Sequence, residues 1–381
     1  MTDPLAAASN LAGKALRRAA AVPKRGVRLL RRAQRIGGQI AIHRTEWQVE
    51  REIASLARGT GPIVAGPWLS EVGFEVLYWI PFLRWLEHHY GISRERVTVI
   101  SRGGVAAWYA DVAAGYVEIF DHLAPDVFAR RNADRRERDE SGGQKQMVYA
   151  TLDRELVGRA LEERGLSDAA VCHPSLMYRL FNQFWFGNRA LDVIISHTHH
   201  TRLALNAARV PGLPARYVAA KFYTGAALPD TAECRSGVRD LVRAAAATLP
   251  VVMLDTGMAT DEHEDYLFRA IPNVISLRER MTPHTNLGVQ TAVIAGADAY
   301  IGTCGSLAWL APLLGVRTTA VYAADRHLLS HLYVADQTYP RAGAAPFDAL
   351  DLRAAMQLKM GSEVIFRGQS PATADSTVLE K

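Results

Sequence analysis

From Pro62 onward the apolar positions fall into short continuous runs, each followed by a glycine-bearing turn and then by a stretch with helical spacing. Pro62–Gly66 reads as a first buried strand, and a helix opens at Glu71 and runs to about His89. Arg96–Ser101 is a second strand, closed by Gly103 and Gly104. A helix is expected near Asp153–Arg164, and an aromatic segment, Tyr178–Phe186, reads as core or cleft wall. Beyond a Pro/Gly-rich link at Val210–Pro214, strands are predicted at Arg216–Lys221, Pro250–Leu254, Asn273–Leu277, Ala299–Gly302 and Thr318–Tyr322. Helices fit between them at about Ala232–Ala247, Asp261–Arg269, Leu287–Ala295 and Ser306–Leu314, with a last one over Phe347–Leu358. Strand and helix in strict alternation predict an α/β chain with parallel sheets and right-handed crossovers. The polar, charged stretch Arg130–Gly143 interrupts the pattern and reads as a solvated loop.

Length and composition agree with two domains of ordinary size: 381 residues, 49% hydrophobic and 22% charged. The pattern divides the chain into a basic arm (1–45), a first α/β domain (46–210), a second α/β domain (211–345) and a terminal helix with a polar tail (346–381). Charge changes the picture only at the start. Residues 1–45 hold ten Lys or Arg and a single acid, Asp3, so the remainder of a chain of net charge +5 is mildly acidic. Apolar residues from Leu11 to Ile40 interleave with these cations, as in two short basic amphipathic helices. Such an arm suits an anionic membrane surface through residues 14–35, and equally suits a solvated terminus. No interleaved aromatics or known fold point to nucleic acid. The uncharged run between Asp298 and Arg317 holds Gly302, Gly305, Pro312 and Gly315, so it reads as strand, turn and helix and not as a membrane span. The three cysteines, Cys172, Cys234 and Cys304, form no CxxC pair, and the start does not resemble a signal peptide; both fit a cytoplasmic protein.

Open α/β sheets bind ligands beyond the carboxyl ends of their strands, so the loops there hold the candidate chemistry. In Gly302-Thr303-Cys304-Gly305-Ser306 the glycines let a backbone approach an anion. The amides opening the next helix face it, and Thr303 and Ser306 add hydroxyls. The plainer reading is a tight turn with Ser306 as helix cap. In Lys221-Phe222-Tyr223, the lysine at a strand end is placed to meet a diphosphate or is equally a plain surface residue, and Tyr223 is placed to stack or hydrogen-bond. In Arg278–Leu287, Thr285 and Asn286 are ligand contacts or helix caps, with capping favoured for Asn286. Glu71 and Glu75, one helical turn apart after the first strand, are candidates for a general base, with the alternative that both serve the helix dipole. Burial beside Trp68 and Phe74 would raise a carboxylate there toward a useful pKa. His197-Thr198-His199-His200 matches no closed metal pattern, and no metal site is expected.

The stretch Asn286–Gln290, then Ala295–Ser306, then Pro312–Tyr322 resembles the donor half of GT-B glycosyltransferases, and is similar to their heptosyltransferase-like branch. Cys304 stands where that turn often carries an acid. The resemblance covers about a hundred residues. It implies two Rossmann-like domains facing across a cleft, with a nucleotide-diphosphate sugar held mainly by the second and a glycan or lipid-linked acceptor entering from the first. It further implies no permanently bound cofactor, inverting transfer without a metal, and a base in the first domain. With the basic arm added, the expectation is a cytoplasmic enzyme placed peripherally on the inner face of the cell membrane. A polysaccharide pyruvyltransferase, a nucleotide-sugar 2-epimerase and a non-catalytic, membrane-recruited binding module share the broad architecture.

Overall fold

The computed structural model describes residues 38–138, 145–205, 210–258, 263–268, 271–326 and 328–357. The chain forms two compact units, Met1–Glu52 and Ile53–Lys381. Of the first, the described residues from 38 on are helical; the basic stretch 14–35 lies outside the described residues. The second unit contains two parallel sheets. No helix among the described residues is long and apolar enough to cross a membrane.

The first sheet holds β1 (Ile63–Ala65), β2 (Val97–Ser101), β3 (Gly115–Glu118) and β4 (Ala170–Cys172) in the order β3-β2-β1-β4. β1 is flanked by β2 and β4, with Ala65 opposite Val99 on one side and Cys172 on the other. The second sheet comprises β5 (Val218–Lys221), β6 (Val251–Met253), β7 (Val274–Ser276), β8 (Ala299–Thr303), β9 (Thr318–Tyr322) and β10 (Phe347–Asp351). Its order, β10-β9-β8-β5-β6-β7, is the doubly wound arrangement in which chain direction across the sheet reverses between β5 and β8. Every ladder in both sheets is parallel. Parallel strands are covered on both faces, and this is why the strands read as continuous apolar runs: β1 and β6 are buried at every residue. One core cluster packs Val64, Ile100 and Val117 against Phe120, Phe128 and Leu156; another packs Val218, Ala220, Val251 and Ile301 against Val238, Leu241 and Val242.

Three local expectations are corrected. The charged stretch after Arg130 is not a loop: Pro125–Arg138 is a helix whose Phe128, Asn132 and Arg135 are buried, so its polar residues include inward-facing ones. Phe347–Asp351 is a sixth strand and not helix; Phe347 stacks on Trp309 at 5.2 Å, and the helix begins only at Leu352, where the Asp351 carboxylate accepts from the amide of Arg353. No helix spans residues 263–268; Asp265 instead makes a bridge to Tyr223, and the rest of that expected helix lies largely outside the described residues. The aromatic segment is the helix Ser175–Trp185, in which Tyr178 and Phe181 are buried and Tyr178 stacks on Trp68.

Candidate functional site

Each sheet has a switch point, between β1 and β4 in the first and between β5 and β8 in the second. The loops leaving β1, β5 and β8 are therefore the places where the topology opens a crevice. They are also the loops that hold Glu71 and Glu75, Lys221 and Tyr223, and Gly302–Ser306.

At the first switch point the loop Gly66–Glu71 leads into a helical stretch over residues 72–90, whose turn Glu75–Trp79 is wound as a π-helix. Such turns widen a helix locally and recur at functional sites. Glu71 occupies the N-cap position with an extended backbone, and its carbonyl accepts from the amides of Phe74 and Glu75. Its side chain is partly accessible, within electrostatic reach of Lys145. The Lys145 ammonium sits 4.4 Å from the Trp185 ring centre and 5.4 Å from that of Phe186, and burial holds its pKa below the ordinary lysine value. Glu75 differs from its neighbour one turn earlier. It is wholly buried, accepts hydrogen bonds on Oε1 from the hydroxyls of Ser101 and Tyr109, and leaves Oε2 without a partner. Desolvation pushes its pKa up to about 7, against the lowering influence of Arg102 and of the two hydroxyls. Of the two candidate bases, Glu71 is thus the partly exposed one, and Glu75 is an interior group.

At the second switch point, Gly302 passes so close to β5 that a Cβ there would lie 2.3 Å from the carbonyl oxygen of Lys221. Thr303 is fully buried, and its hydroxyl both accepts from the Tyr223 amide and donates to the Tyr223 carbonyl. It fastens the two loops together instead of presenting a hydroxyl to an anion, which differs from the expectation. Gly305 and Ser306 are the accessible part of the turn. Ser306 adopts φ +42°, a conformation that strains a non-glycine residue by about 1–3 kcal/mol, and its hydroxyl makes no cap to the helix Leu307–Leu313. The reading of Ser306 as a plain helix cap is accordingly not met. Lys221 lies at the end of β5, where Nζ is 2.9 Å from Asp265 Oδ1 and donates to the Leu254 carbonyl. Burial opposes ionisation of Asp265, but the charge and hydrogen bond of Lys221, with the amides of Thr256 and Gly257, outweigh it and hold the carboxyl below its ordinary value. Tyr223 is buried, its ring 4.7 Å from that of His263.

Gly73 joins the two switch points. A Cβ on this residue would lie 3.0 Å from the Ser306 amide nitrogen and 3.3 Å from the Trp309 ring, so the helix start carrying Glu71 rests directly on the turn after β8. A second contact runs alongside: the Gly288 amide donates to the Gly103 carbonyl, and Trp108 Nε1 donates to the Thr291 hydroxyl. Thr285 and Asn286 stand beside this contact. Asn286 is the first residue of the helix Asn286–Ala295 and donates to the Pro283 carbonyl; the N-cap position belongs to Thr285, whose exposed hydroxyl bonds with Thr282 instead of capping. The expected capping by Asn286 is corrected. Gly73, two residues after Glu71, thus packs on the Ser306 amide, while Lys221 ends the neighbouring strand β5 and Tyr223 follows two residues beyond it. Arg278 pairs with Asp255, and Arg280 donates to the Pro211 carbonyl.

The histidine run goes elsewhere. His200 is half-buried with Nε2 donating to the Leu77 carbonyl, and desolvation pushes its pKa down to about 4; His199 stacks on His88 at 5.0 Å. Among the described residues no group of three or more His, Cys, Asp or Glu side chains is arranged to hold a metal.

No known family model matches the sequence, and no curated protein matches it. Among solved structures the chain is similar to the E. coli heptosyltransferase WaaC with ADP, at 14% identity and a TM-score of 0.41, covering 80% of this chain and all of that one. It is also similar to a family 9 glycosyl transferase from Veillonella parvula, at 11% identity and a TM-score of 0.40, covering 80% and 97%. The dodecameric, iron-containing glycosyltransferase TibC from enterotoxigenic E. coli shares 12% identity at a TM-score of 0.39; 69% of this chain spans 58% of that protein's length. All three are glycosyltransferases.

Sequence reasoning did not single out Arg102, Asn132, Gln146, Asp153 or His173, which surround the loop before Glu71. Each is a lone polar residue in an unremarkable segment. The one usable signal was the buried face that Asn132 and Arg135 share on a helix misread as loop.

Proposed function

We propose that the chain is a glycosyltransferase that moves a sugar from a nucleotide-diphosphate donor to the hydroxyl of a cell-surface glycan or lipid-linked acceptor, with inversion and without a metal. One observation supports it above the others: at the switch points of the two sheets, the helix start that follows Glu71 packs through Gly73 on the Ser306 amide. In this reading Glu71 takes the proton from the acceptor hydroxyl as its oxygen attacks the anomeric carbon. The bond from that carbon to the diphosphate breaks, and the leaving negative charge meets the Gly305–Ser306 backbone, the Ser306 hydroxyl and Lys221. Tyr223, Thr285 and Asn286 border the donor, while Gly302 and Thr303 shape the turn. Glu75 supports the helix from within. The cations of residues 14–35 draw the enzyme to the anionic inner face of the membrane where a lipid-linked acceptor resides.

Calorimetric titration with ADP, UDP, GDP and CDP is the primary test. Binding of one of them, weakened by Lys221→Met, is the expected result; binding of none removes the reading. Release of nucleoside diphosphate from the matching sugar nucleotide, abolished by Glu71→Gln, identifies the base.

A further inference from the structure

The four residues before Glu71 form no regular secondary structure, yet every one of their carbonyls accepts a hydrogen bond from a side chain. Gln146 Nε2 donates to the Pro67 carbonyl at 2.9 Å, Arg102 to those of Trp68 at 3.0 Å and Ser70 at 2.9 Å, and Asn132 Nδ2 to that of Leu69 at 3.0 Å. The Leu69 amide in turn donates to Gln146 Oε1 at 2.8 Å, and the Ser70 hydroxyl reaches the same oxygen at 3.3 Å. The donors come from three segments distant in sequence: the end of β2, the helix Pro125–Arg138, and the stretch before the helix Thr151–Arg164.

Each donor is itself oriented. Gln146 is fully buried, and its amide nitrogen also donates to Asp153 Oδ1 at 2.8 Å, which settles that the nitrogen meets Pro67 and the oxygen Leu69. Asp153, also fully buried, accepts from the Ala150 amide and lies 3.1 Å from His173 Nε2. The Ser175 amide donates to His173 Nδ1, so the ring proton is on Nε2 and points at Asp153. Asn132 Oδ1 accepts from Arg135 Nε, leaving its amide nitrogen for Leu69. A polar network buried this completely rigidifies what it holds, because each lost bond leaves an unpaired group in a medium that penalises it.

We propose that Gln146, backed by Asp153 and His173 and assisted by Asn132, is a positioning residue for glycosyl transfer: it clamps the loop Pro67–Ser70 and so fixes where the Glu71 carboxylate stands relative to the Gly305–Ser306 turn. This rests on the reading of Glu71 as the base. An irregular loop of this length has many backbone conformations open to it; beside the bond from the Trp68 amide to the Ile100 carbonyl, the side-chain clamp selects one. A general base displaced by about an ångström loses on the order of 100-fold in rate, so the clamp acts on turnover and not on donor affinity.

The experiment uses the full chain and the sugar nucleotide whose diphosphate binds in titration. Gln146→Ala lowers kcat for diphosphate release by ~10–100-fold while the KM for the donor and the affinity for the free diphosphate stay within about twofold. It also speeds amide hydrogen exchange in residues 68–75 without doing so in the second sheet. In a Glu71→Gln background the same substitution produces no further loss, because it acts through Glu71. Should Gln146→Ala fail to fold, Asn132→Ala removes the bond to the Leu69 carbonyl and leaves Gln146 and Asp153 in place; it lowers kcat with donor affinity unchanged. Unchanged kcat in the folded variants, an equal fall in diphosphate affinity, or full additivity with Glu71→Gln overturns the clamp while leaving the transferase reading standing. A wild-type chain that releases no diphosphate from any sugar nucleotide overturns both.

Discussion

The loop that leaves β1 and the turn that leaves β8 occupy corresponding places in their sheets, at the two switch points, and are held by opposite means. The first is gripped by side chains from far along the chain: Gln146, Arg102 and Asn132 bond its carbonyls one after another. The second is held mainly by close approach of bare backbone, to which the buried Thr303 hydroxyl adds its two bonds to Tyr223. Gly302 touches the Lys221 carbonyl where a Cβ has no room, and Gly305, at φ +146°, would place one 2.7 Å from the Tyr223 hydroxyl. The side-chain-held loop ends in a carboxylate, whereas the glycine-held turn offers backbone. A catalytic side chain must be aimed, and aiming takes partners; an anion cradle must be bare, and bareness takes glycine.

The largest expected effect breaks the comparison at its functional claim. Glu71→Gln is isosteric, leaves the clamp intact and lowers turnover by ~10²–10⁴-fold, with nucleoside diphosphate affinity unchanged. Equal turnover of the variant and the wild type would show that the gripped loop aims nothing.

Titration sets the two regions apart next. Glu75 has a folded pKa of about 7 against an ordinary 4.5, so between these values the folded chain holds a proton that the unfolded chain releases. Its contribution is complete below about 4.5 and is lost as pH rises through 7, on the order of 3 kcal/mol in total. Denaturant unfolding of the wild type compared with Glu75→Gln should show the variant losing this slope between pH 4.5 and 7. A pH dependence shared by both chains would place the titration elsewhere.

Gly302→Ala tests the bare turn. With a backbone oxygen in the way, the new Cβ can be accommodated only by moving β5 or β8, at about 2 kcal/mol, read as a fall in the urea midpoint. Thr285→Ala marks the lower end. Among the described residues its exposed hydroxyl bonds with Thr282 alone, so diphosphate affinity changes by no more than about 0.5 kcal/mol in titration. A larger loss would place Thr285 on the ligand itself.

The same contrast explains what could be read in advance. The turn Gly302–Ser306 was legible because glycines at fixed offsets between an apolar strand and a helix state their purpose locally. Strand β10 was not, since Phe347–Asp351 carries an edge pattern with exposed Asp348 and Ala349 that spacing alone does not separate from helix. Arg130–Arg138 reads as loop because charges dominate it, and only packing shows that Asn132 and Arg135 face inward with Phe128 on one helix. Glu71 and Glu75 were found together, and nothing in five consecutive residues distinguishes them.

By itself the sequence determined strands β1, β2 and β5 to β9, the helices between most of them and the glycine turn after β8. These follow from local rules: apolar runs bury on both sheet faces, and glycine permits close approach. Only the tertiary structure decided that Thr303 binds loop to loop, that Lys221 is paired with Asp265, that Glu75 is sealed while Glu71 is accessible, and that Gln146 and Asn132 grip a loop some sixty to eighty positions away. Burial and long-range hydrogen bonding are properties of which segments meet. A residue's type and its near neighbours leave that open, and the packing of two sheets at their switch points settles it.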